Sequence, residues 1–517
     1  MDTNDPCTRA AEAVAAGPPP AEAGVSSCAL AKGFPPGPQS AAPRRRWRRW
    51  LIVLGIFVLL MALPVVLYLY YCWNSDREFD AVVAEIEKVD PRWRFDDVLA
   101  DRPPIADADN PSLVVGRVDA LLRPGSFDLG SKNYRYFEDE RLSAPHRLNG
   151  PQIIALRVAL EKHADAVKLA RTLKQFTGEG RYTIQVAPDF ISTTLEPLQR
   201  CRGVMHMLES DAQMRAEDED AAGALESCRA ILVCARSIGD EPYLIAMLVR
   251  VAGQHLTVNA LERILAQSDK APAAELRAMQ ELLAREIDAP ILLNGLRGER
   301  GGSEKIIEVL VTQKMKMSAL RGGPGNRANS LEDWLLDMFP GVVTGGRAEY
   351  LRLMNQAVQG ARLPIHEQKD AFDKVDKATR ASSTLMVRLL MPAVTKVSQA
   401  NLRSQANLRS AMVALAVERY RLEHDRWPAT LADVVKAGLL DAVPLDPING
   451  QPLSYRRLAD GVAIYSVGFD GIDDGGKINR LQWNEPGVDL GVRLWDVDRR
   501  RQNPLPPPPI DDDGGGQ

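Results

Sequence analysis

Asp470, Asp473 and Asp474 stand together in the glycine-rich loop Gly468 to Gly476 and supply the hard oxygen ligands that calcium prefers. The same composition also makes a tight turn, with aspartate side chains capping backbone amides. Other reactive side chains are dispersed. The histidines, at positions 146, 163, 206, 255, 366 and 424, contain no HxxxH pair and no HExxH. His255 falls on a largely apolar segment, where a core histidine with one hydrogen-bond partner is expected. There is no GxSxG elbow, and neither GxxxxGK[ST] nor GxGxxG occurs between a strand and a helix, so no serine nucleophile or phosphate cradle is expected. The run Glu217-Asp218-Glu219-Asp220 reads as a solvated helix junction.

The 6 cysteines include no CxxC, which argues against a zinc ribbon or a thioredoxin-type centre. Cys7 and Cys28 lie near the N-terminus, Cys72 follows an apolar run, and Cys201, Cys228 and Cys234 fall in the main body. Cys228 and Cys234 are on different faces of one expected helix. A bridge from Cys201 to either one, or buried free thiols, fits these positions. Trp334, Leu335 and Phe339 belong to a short apolar helix closed by Pro340, and they are candidates for binding a partner. Folding back onto the bundle is the competing reading.

The elements that must position these groups begin with Leu51 to Cys72, a run free of charged side chains and preceded by Arg44, Arg45, Arg46, Arg48 and Arg49. At ~1.5 Å per residue it crosses the ~30 Å hydrocarbon core as one helix. Trp47 and Trp50 at one end, and Tyr68, Tyr70, Tyr71 and Trp73 at the other, match the interfacial belts. The arginines before the span and Asp76, Glu78, Asp80, Glu85 and Glu87 after it place the N-terminus in the cytoplasm and the C-terminal part outside it. An uncleaved signal anchor in the inner or cytoplasmic membrane is expected, with the lipid bilayer as its first partner.

Residues 1–43, rich in Ala, Pro and Gly, read as a disordered cytoplasmic tail, and 44–73 as basic flank and span. Residues 74–380 read as an irregular antiparallel helical bundle with Gly-rich loops over 295–346. Phe79, Val82, Val83 and Ile86 have helical spacing, ending before Pro91. Ile153, Leu156, Leu160 and Val167 predict one long helix to about Phe176, and the alternation of Tyr182, Ile184 and Val186 a short strand. Leu225, Cys228, Leu232 and Ala235 form a core-facing stripe, ended by Gly239. Tyr243 to about Gln267 is apolar over most of its circumference, which predicts burial.

A long helix is expected to begin near Ala381. It carries a direct duplication, Ser398 to Arg403 and Ser404 to Arg409, whose copies face different directions because six residues turn a helix by roughly 600°. After Trp427-Pro428 come a short helix around Leu431 and Val434, turn chemistry at Pro444, Asp446, Pro447, Asn449 and Gly450, and two strands, Leu453 to Arg457 and Val462 to Val467. Gly487 to Asp496 is a further strand candidate. Residues 381–500 thus form a long helix plus a small α+β module, and 501–517 a Pro-rich, acidic, disordered tail.

The stretch from about 405 to 480 resembles the soluble part of the major pseudopilins of type II secretion systems. The likeness rests on Ala416 to Pro428, Thr430 to Val434, Pro444-Leu-Asp-Pro447, Gly450 to Tyr455 and Tyr465 to Gly476. It implies a long helix, a short helix, a Pro-Asp-Pro turn and an antiparallel sheet on the exported side of a bacterial membrane. It also implies calcium in the loop at Asp470, although Asn479 stands near where the family has a later aspartate. The apolar helix lacks the early glutamate of a prepilin and is far from the module in sequence, so assembly into a pilus through it is not expected.

A net charge of -4 and a pI near 6.0, with no basic stripe interleaved with aromatics, argue against nucleic acid as a partner. The expected fold is mainly α, with a single transmembrane helix, the bundle and the α+β module. The expected function is that of a membrane-anchored extracytoplasmic structural or protein-interaction protein, associated with secretion or envelope organisation and bound to a protein partner. The alternative is a membrane-tethered hydrolase acting on an envelope polymer through a carboxylate pair in a cleft.

Overall fold

The computed structural model describes residues 44–122, 143–188, 190, 192–312, 341, 345–480, 482 and 485–505. Helix α1, Arg44–Val89, contains the apolar run and continues through Pro64 without interruption. The first compact unit ends at Val65, and its described part is the first half of α1, where Leu51 to Val65 are exposed. That apolar stretch is long enough to cross a membrane. The second unit starts at Val66. Here α1 becomes amphipathic, and Ser75, Val82 and Ile86 turn inward. The helix expected at Phe79 to Ile86 is therefore the end of α1. Val82 and Ile86 share a small core with Trp93, Ala348 and Leu351.

The body is mainly helical. Helices α2, Phe95–Ala100, and α3, Pro111–Leu122, are followed by α4, Gly150–Lys162, and α5, Ala164–Ala170, with a 3-10 turn at Arg171–Gln175. The single long helix expected across this last stretch is broken at His163. The two halves bury against different neighbours: Leu156 and Ala159 pack with Leu148 and Met214, whereas Val167, Ala170 and Leu173 join the main core. A capping box fixes the start of α4, the Asn149 side chain and Gln152 each accepting from the other's backbone amide at 2.9 Å.

The strand expected at Tyr182 to Val186 does not form: the stretch has no regular secondary structure and pairs with no strand among the described residues. Its apolar side chains lie against the main core, and the Asn110 side chain both donates to Arg181 O and accepts from Arg181 N at 3.0 Å. A single amide side chain thus replaces a neighbouring strand at that point.

Helices α6, Glu196–Glu217, α7, Ala221–Arg236, α8, Leu244–Ala266, and α9, Ala273–Ile287, form the centre. The stripe of Leu225, Cys228, Leu232 and Ala235 is wholly buried. Gly239 follows α7 with φ +66°, the left-handed conformation of a helix terminator. Helix α8 also has the length and composition of a membrane span, but its apolar window is mostly buried by neighbouring elements, as expected for a core helix.

Helix α10, Ile291–Val311, overturns the loop expected from 295 onward. Gly295, Gly298, Gly301 and Gly302 are helical because other parts of the chain press against them. A Cβ on Gly298 would collide with the Pro242 carbonyl, one on Gly301 would lie 2.5 Å from Phe95 N, and one on Gly302 would enter the Phe190 ring. The remaining glycines of that expected region up to Gly325 lie outside the described residues.

Helices α11, Arg347–Ala361, α12, Ile365–Ala381, and α13, Leu385–His424, complete the bundle. The expected start near Ala381 is instead the end of α12, and α13 starts after Thr384, whose hydroxyl donates to Glu349 rather than capping the helix. The two copies of the duplication do face differently: Leu402 packs with Ile448 and Val467, Leu408 with the main core. Asp425, with φ +56°, ends α13, and α14, Leu431–Lys436, starts from a Thr430–Asp433 capping box.

Strands β1, Ser454–Leu458, β2, Gly461–Ser466, and β3, Leu490–Trp495, form an antiparallel sheet in sequence order, with Tyr455 opposite Ile464 and Ile464 opposite Val492. Val462, Ile464, Val492 and Leu494 belong to the same core as Leu408 and Leu415 of α13 and Leu232 of α7. The core is therefore continuous from bundle to sheet. The disordered tail expected from 501 does not begin there, because Arg501 donates to Ala216 O at 3.0 Å and Gln502 N to Pro145 O at 2.7 Å. Residues 506–517 lie outside the described residues.

Candidate functional site

The Asp-Gly loop leaves β2 and returns at β3, so its ends are fixed by adjacent strands. Asp470 accepts from the amides of Ile472 and Gly487, each at 3.0 Å, and these bonds hold its carboxyl below the ordinary carboxylate range. Asp473 accepts from Tyr465 Oη at 2.9 Å and Gly475 N at 2.8 Å. The Asp474 amide donates to Asp489 Oδ1 at 3.4 Å, and Gly476 N to Asp489 Oδ2 at 2.8 Å.

Among the described residues no group of three or more His, Cys, Asp or Glu side chains is arranged to hold a metal ion. Asp470 and Asp473 are spent on amide and hydroxyl donors, which is the chemistry of a pinned turn. Asp489 lies outside the Gly468 to Gly476 loop that the sequence singles out. It is buried immediately before β3, where burial pushes its carboxyl up, and only the return of the chain to β2 makes it a partner of the loop.

Trp334, Leu335 and Phe339 lie outside the described residues. Just beyond them, Gly341 N donates to Tyr68 Oη at 3.2 Å and Ser75 Oγ to Gly345 O at 3.4 Å. Arg347 forms an ion pair with Asp76, and its guanidinium lies 4.5 Å from the centre of the Phe79 ring. The chain thus returns to the second half of α1 after residue 340.

A groove of about 580 Å³ runs between α4, α5 and their following turn on one side and α6 and α7 on the other. Its charged lining includes Lys168, Arg171, Lys174, Asp211, Arg215 and Glu226. Asp211 accepts from Ser227 Oγ at 2.5 Å and Arg215 Nε at 3.0 Å, and Glu226 binds Arg171 at 2.6 Å and Lys174 at 2.5 Å. Burial pushes the Glu226 carboxyl up, but the Lys174 and Arg171 contacts outweigh it and hold the group below its ordinary value. A general acid needs the opposite shift.

His255 is pushed down to about 3 by burial, with the charges of Arg403 and Arg480 adding to the effect, so it is neutral at ordinary pH. The thiols of Cys201, Cys228 and Cys234 are buried and free. Cys201 Sγ lies 3.0 Å from Tyr182 Oη, Cys228 Sγ donates to Thr257 O at 3.4 Å, and Cys234 Sγ lies 3.7 Å from Cys201 O.

Fold and site together define a mainly helical protein with a small antiparallel sheet on the same core and one N-terminal helix long and apolar enough to span a membrane. The chain matches no protein-family model, no curated protein and no solved structure.

Proposed function

We propose that this is a single-pass, membrane-anchored structural or protein-interaction protein. Its N-terminal tail is cytoplasmic, and its body is extracytoplasmic, in the inner or cytoplasmic membrane of a bacterial cell. There it binds a protein partner and helps to organise secretion or envelope machinery. The observation that carries this reading is the contrast within α1: apolar side chains from Leu51 to Val65 are exposed, whereas Ser75, Val82 and Ile86 are buried in the body. An exposed apolar run of that length is unfavourable in water and favourable in hydrocarbon. The arginines preceding it support the orientation.

The order of α13, α14, the Pro444-Asp446-Pro447 turn and the antiparallel sheet supports a pseudopilin-like C-terminal module. Two of the groove's carboxylates, Asp211 and Glu226, are each held by a cation, which favours binding over hydrolysis at those two groups.

Protease added to intact spheroplasts tests the arrangement: digestion of the body with the first 43 residues protected is expected. A body that survives until the membrane is lysed overturns it. Chemical crosslinking in intact cells tests the partner, and a discrete heavier adduct is expected. Recovery of the uncrosslinked chain alone across a series of linker lengths rejects a stable partner.

A further inference from the structure

We propose that Cys201 and Cys234 are a disulfide-forming pair, joined by thiol–disulfide exchange while the body folds, and that Cys228 stays a thiol. The sequence alone leaves Cys201 with two candidate partners. The structure separates them, because α6 and α7 form a hairpin whose beginning and end lie side by side. Cys201, in the second turn of α6, meets Cys234, in the last turn of α7.

Both side chains are completely buried. Cys234 Sγ lies 3.7 Å from the Cys201 carbonyl oxygen, and the two thiols are hydrogen-bonding neighbours. Cys228 is six residues earlier on α7, a rotation of roughly 600°, and its thiol donates instead to Thr257 O of α8 at 3.4 Å. It points away from Cys201.

The pair is chemically asymmetric. Cys201 Sγ lies 3.0 Å from Tyr182 Oη, and Tyr182 Oη lies 2.9 Å from Ser237 Oγ, so polar groups surround this sulfur. The Cys234 hydrogen bond, helped by Tyr182 and Ser237, holds the Cys201 thiol below its ordinary value against the effect of burial. Burial pushes the Cys234 and Cys228 thiols up. These shifts belong to the closed core; before it closes, either thiolate can begin the exchange, here Cys201.

It attacks one sulfur of an organic disulfide, small or carried by a protein, and the other sulfur leaves as a thiolate. That thiolate takes the Cys234 proton. Cys234 then attacks Cys201 in the mixed disulfide and expels the second thiolate, which is protonated by solvent. Two thiols of the chain are oxidised to one disulfide, and the oxidant is reduced to two thiols. Because both sulfurs are sealed in the core, exchange precedes complete closure of α6 on α7.

The occurrence of the bridge in the cell rests on the proposed export of the body, whereas the choice of partners does not, so the test has two arms. In the first, membranes from cells making the full chain are quenched in acid, denatured, alkylated with N-ethylmaleimide and digested without reduction. A peptide pair joining Cys201 to Cys234 is expected, with Cys72 and Cys228 carrying the maleimide. In the second, the full chain is synthesised cell-free into lipid nanodiscs in a buffer of oxidised and reduced glutathione, and the same link is expected. It should persist in Cys228→Ser and vanish in Cys201→Ser and in Cys234→Ser. A Cys201–Cys228 link in either arm, or maleimide on all three body cysteines in both, overturns the pair. A link in the glutathione arm alone supports the pair and counts against export.

Discussion

Arg300 donates from Nη2 to Asp90 Oδ2 over 2.5 Å, and the Arg300 side chain is completely buried. Asp90 immediately follows α1, whereas Arg300 lies within α10, so one ion pair fastens the end of the apolar-to-amphipathic helix to the body. Arg297 and Arg362 reach the same carboxylate, each at 3.2 Å. Burial pushes the Asp90 carboxyl up, but the Arg300 hydrogen bond and the charges of Arg297 and Arg300 outweigh it and leave the group below its ordinary value.

Asp90→Ala is expected to destabilise the body by about 3–5 kcal/mol, because it leaves the buried Arg300 guanidinium without its anion, Arg297 and Arg362 being more exposed. The loss should appear as a lower melting temperature of the detergent-solubilised chain. The pH dependence follows the depressed carboxyl: the contribution is complete above about 4 and is lost as pH falls through the lower folded value. The wild-type and Asp90→Ala melting temperatures should therefore converge on acidification. A constant difference down to about pH 2 would show that Asp90 acts by packing rather than charge.

Gly298 and Gly203 are both helical glycines with opposite surroundings. A Cβ on Gly298 would collide with the Pro242 backbone, whereas one on Gly203 meets nothing within 4 Å. Gly203→Ala should stabilise α6 by up to about 1 kcal/mol through helix propensity. Gly298→Ala gains the same propensity but must displace backbone, and a net loss of roughly 1–3 kcal/mol is expected. Denaturant midpoints of the two variants should move in opposite directions.

That pair also shows why part of the fold was legible in the sequence and part was not. Leu225, Cys228, Leu232 and Ala235 announce their helix because burial on one face imposes a local period. The stretches Leu453 to Arg457 and Val462 to Val467 announce β1 and β2 for the same reason, since strand-forming composition is contained in neighbouring residues. Gly298 and Gly301 look like loop because their purpose, contact with Pro242 and Phe95, depends on segments remote in sequence. Tyr182 to Val186 alternates like a strand, yet Asn110 satisfies the backbone of Arg181. In the Asp-Gly loop the three carboxylates were visible, but Asp489, which binds two of its amides, enters only through the pairing of β2 with β3.

Glu299, on α10, has a carboxyl pushed up to about 7 by burial, with the Leu244 amide opposing the shift. The folded chain therefore keeps a proton that the unfolded chain releases near pH 4. Stability from this group falls as pH rises from about 4 to about 7 and is level above that. Glu299→Gln should remove this slope, matching the wild type near pH 4 and exceeding it by roughly 3–4 kcal/mol at about pH 8. Thermal melts across that range decide the point, and parallel curves for the two proteins would reject the assignment.

Arg500 and Glu418 are both completely buried and joined by two parallel bonds, Nη1 to Oε1 and Nη2 to Oε2, each at 2.9 Å. Arg421 binds the same carboxylate at 2.7 Å, and Arg500 also donates from Nε to Trp495 O at 2.9 Å. The residues after β3 are thereby locked to α13. Arg500→Ala should cost about 3 kcal/mol, at the lower end for a broken buried pair because Arg421 still faces Glu418. Arg500→Lys should recover little of this, since an ammonium cannot make the paired bonds of a guanidinium. A chain ending at Arg499 should be destabilised as much as Arg500→Ala or more, because it also loses the Arg501 and Gln502 contacts. Adding Glu418→Gln to Arg500→Ala should cost less than the sum of the two single changes, because each removes the same pair. Chemical denaturation of the four proteins measures this coupling, and strict additivity would mean that the pair does not act as a unit.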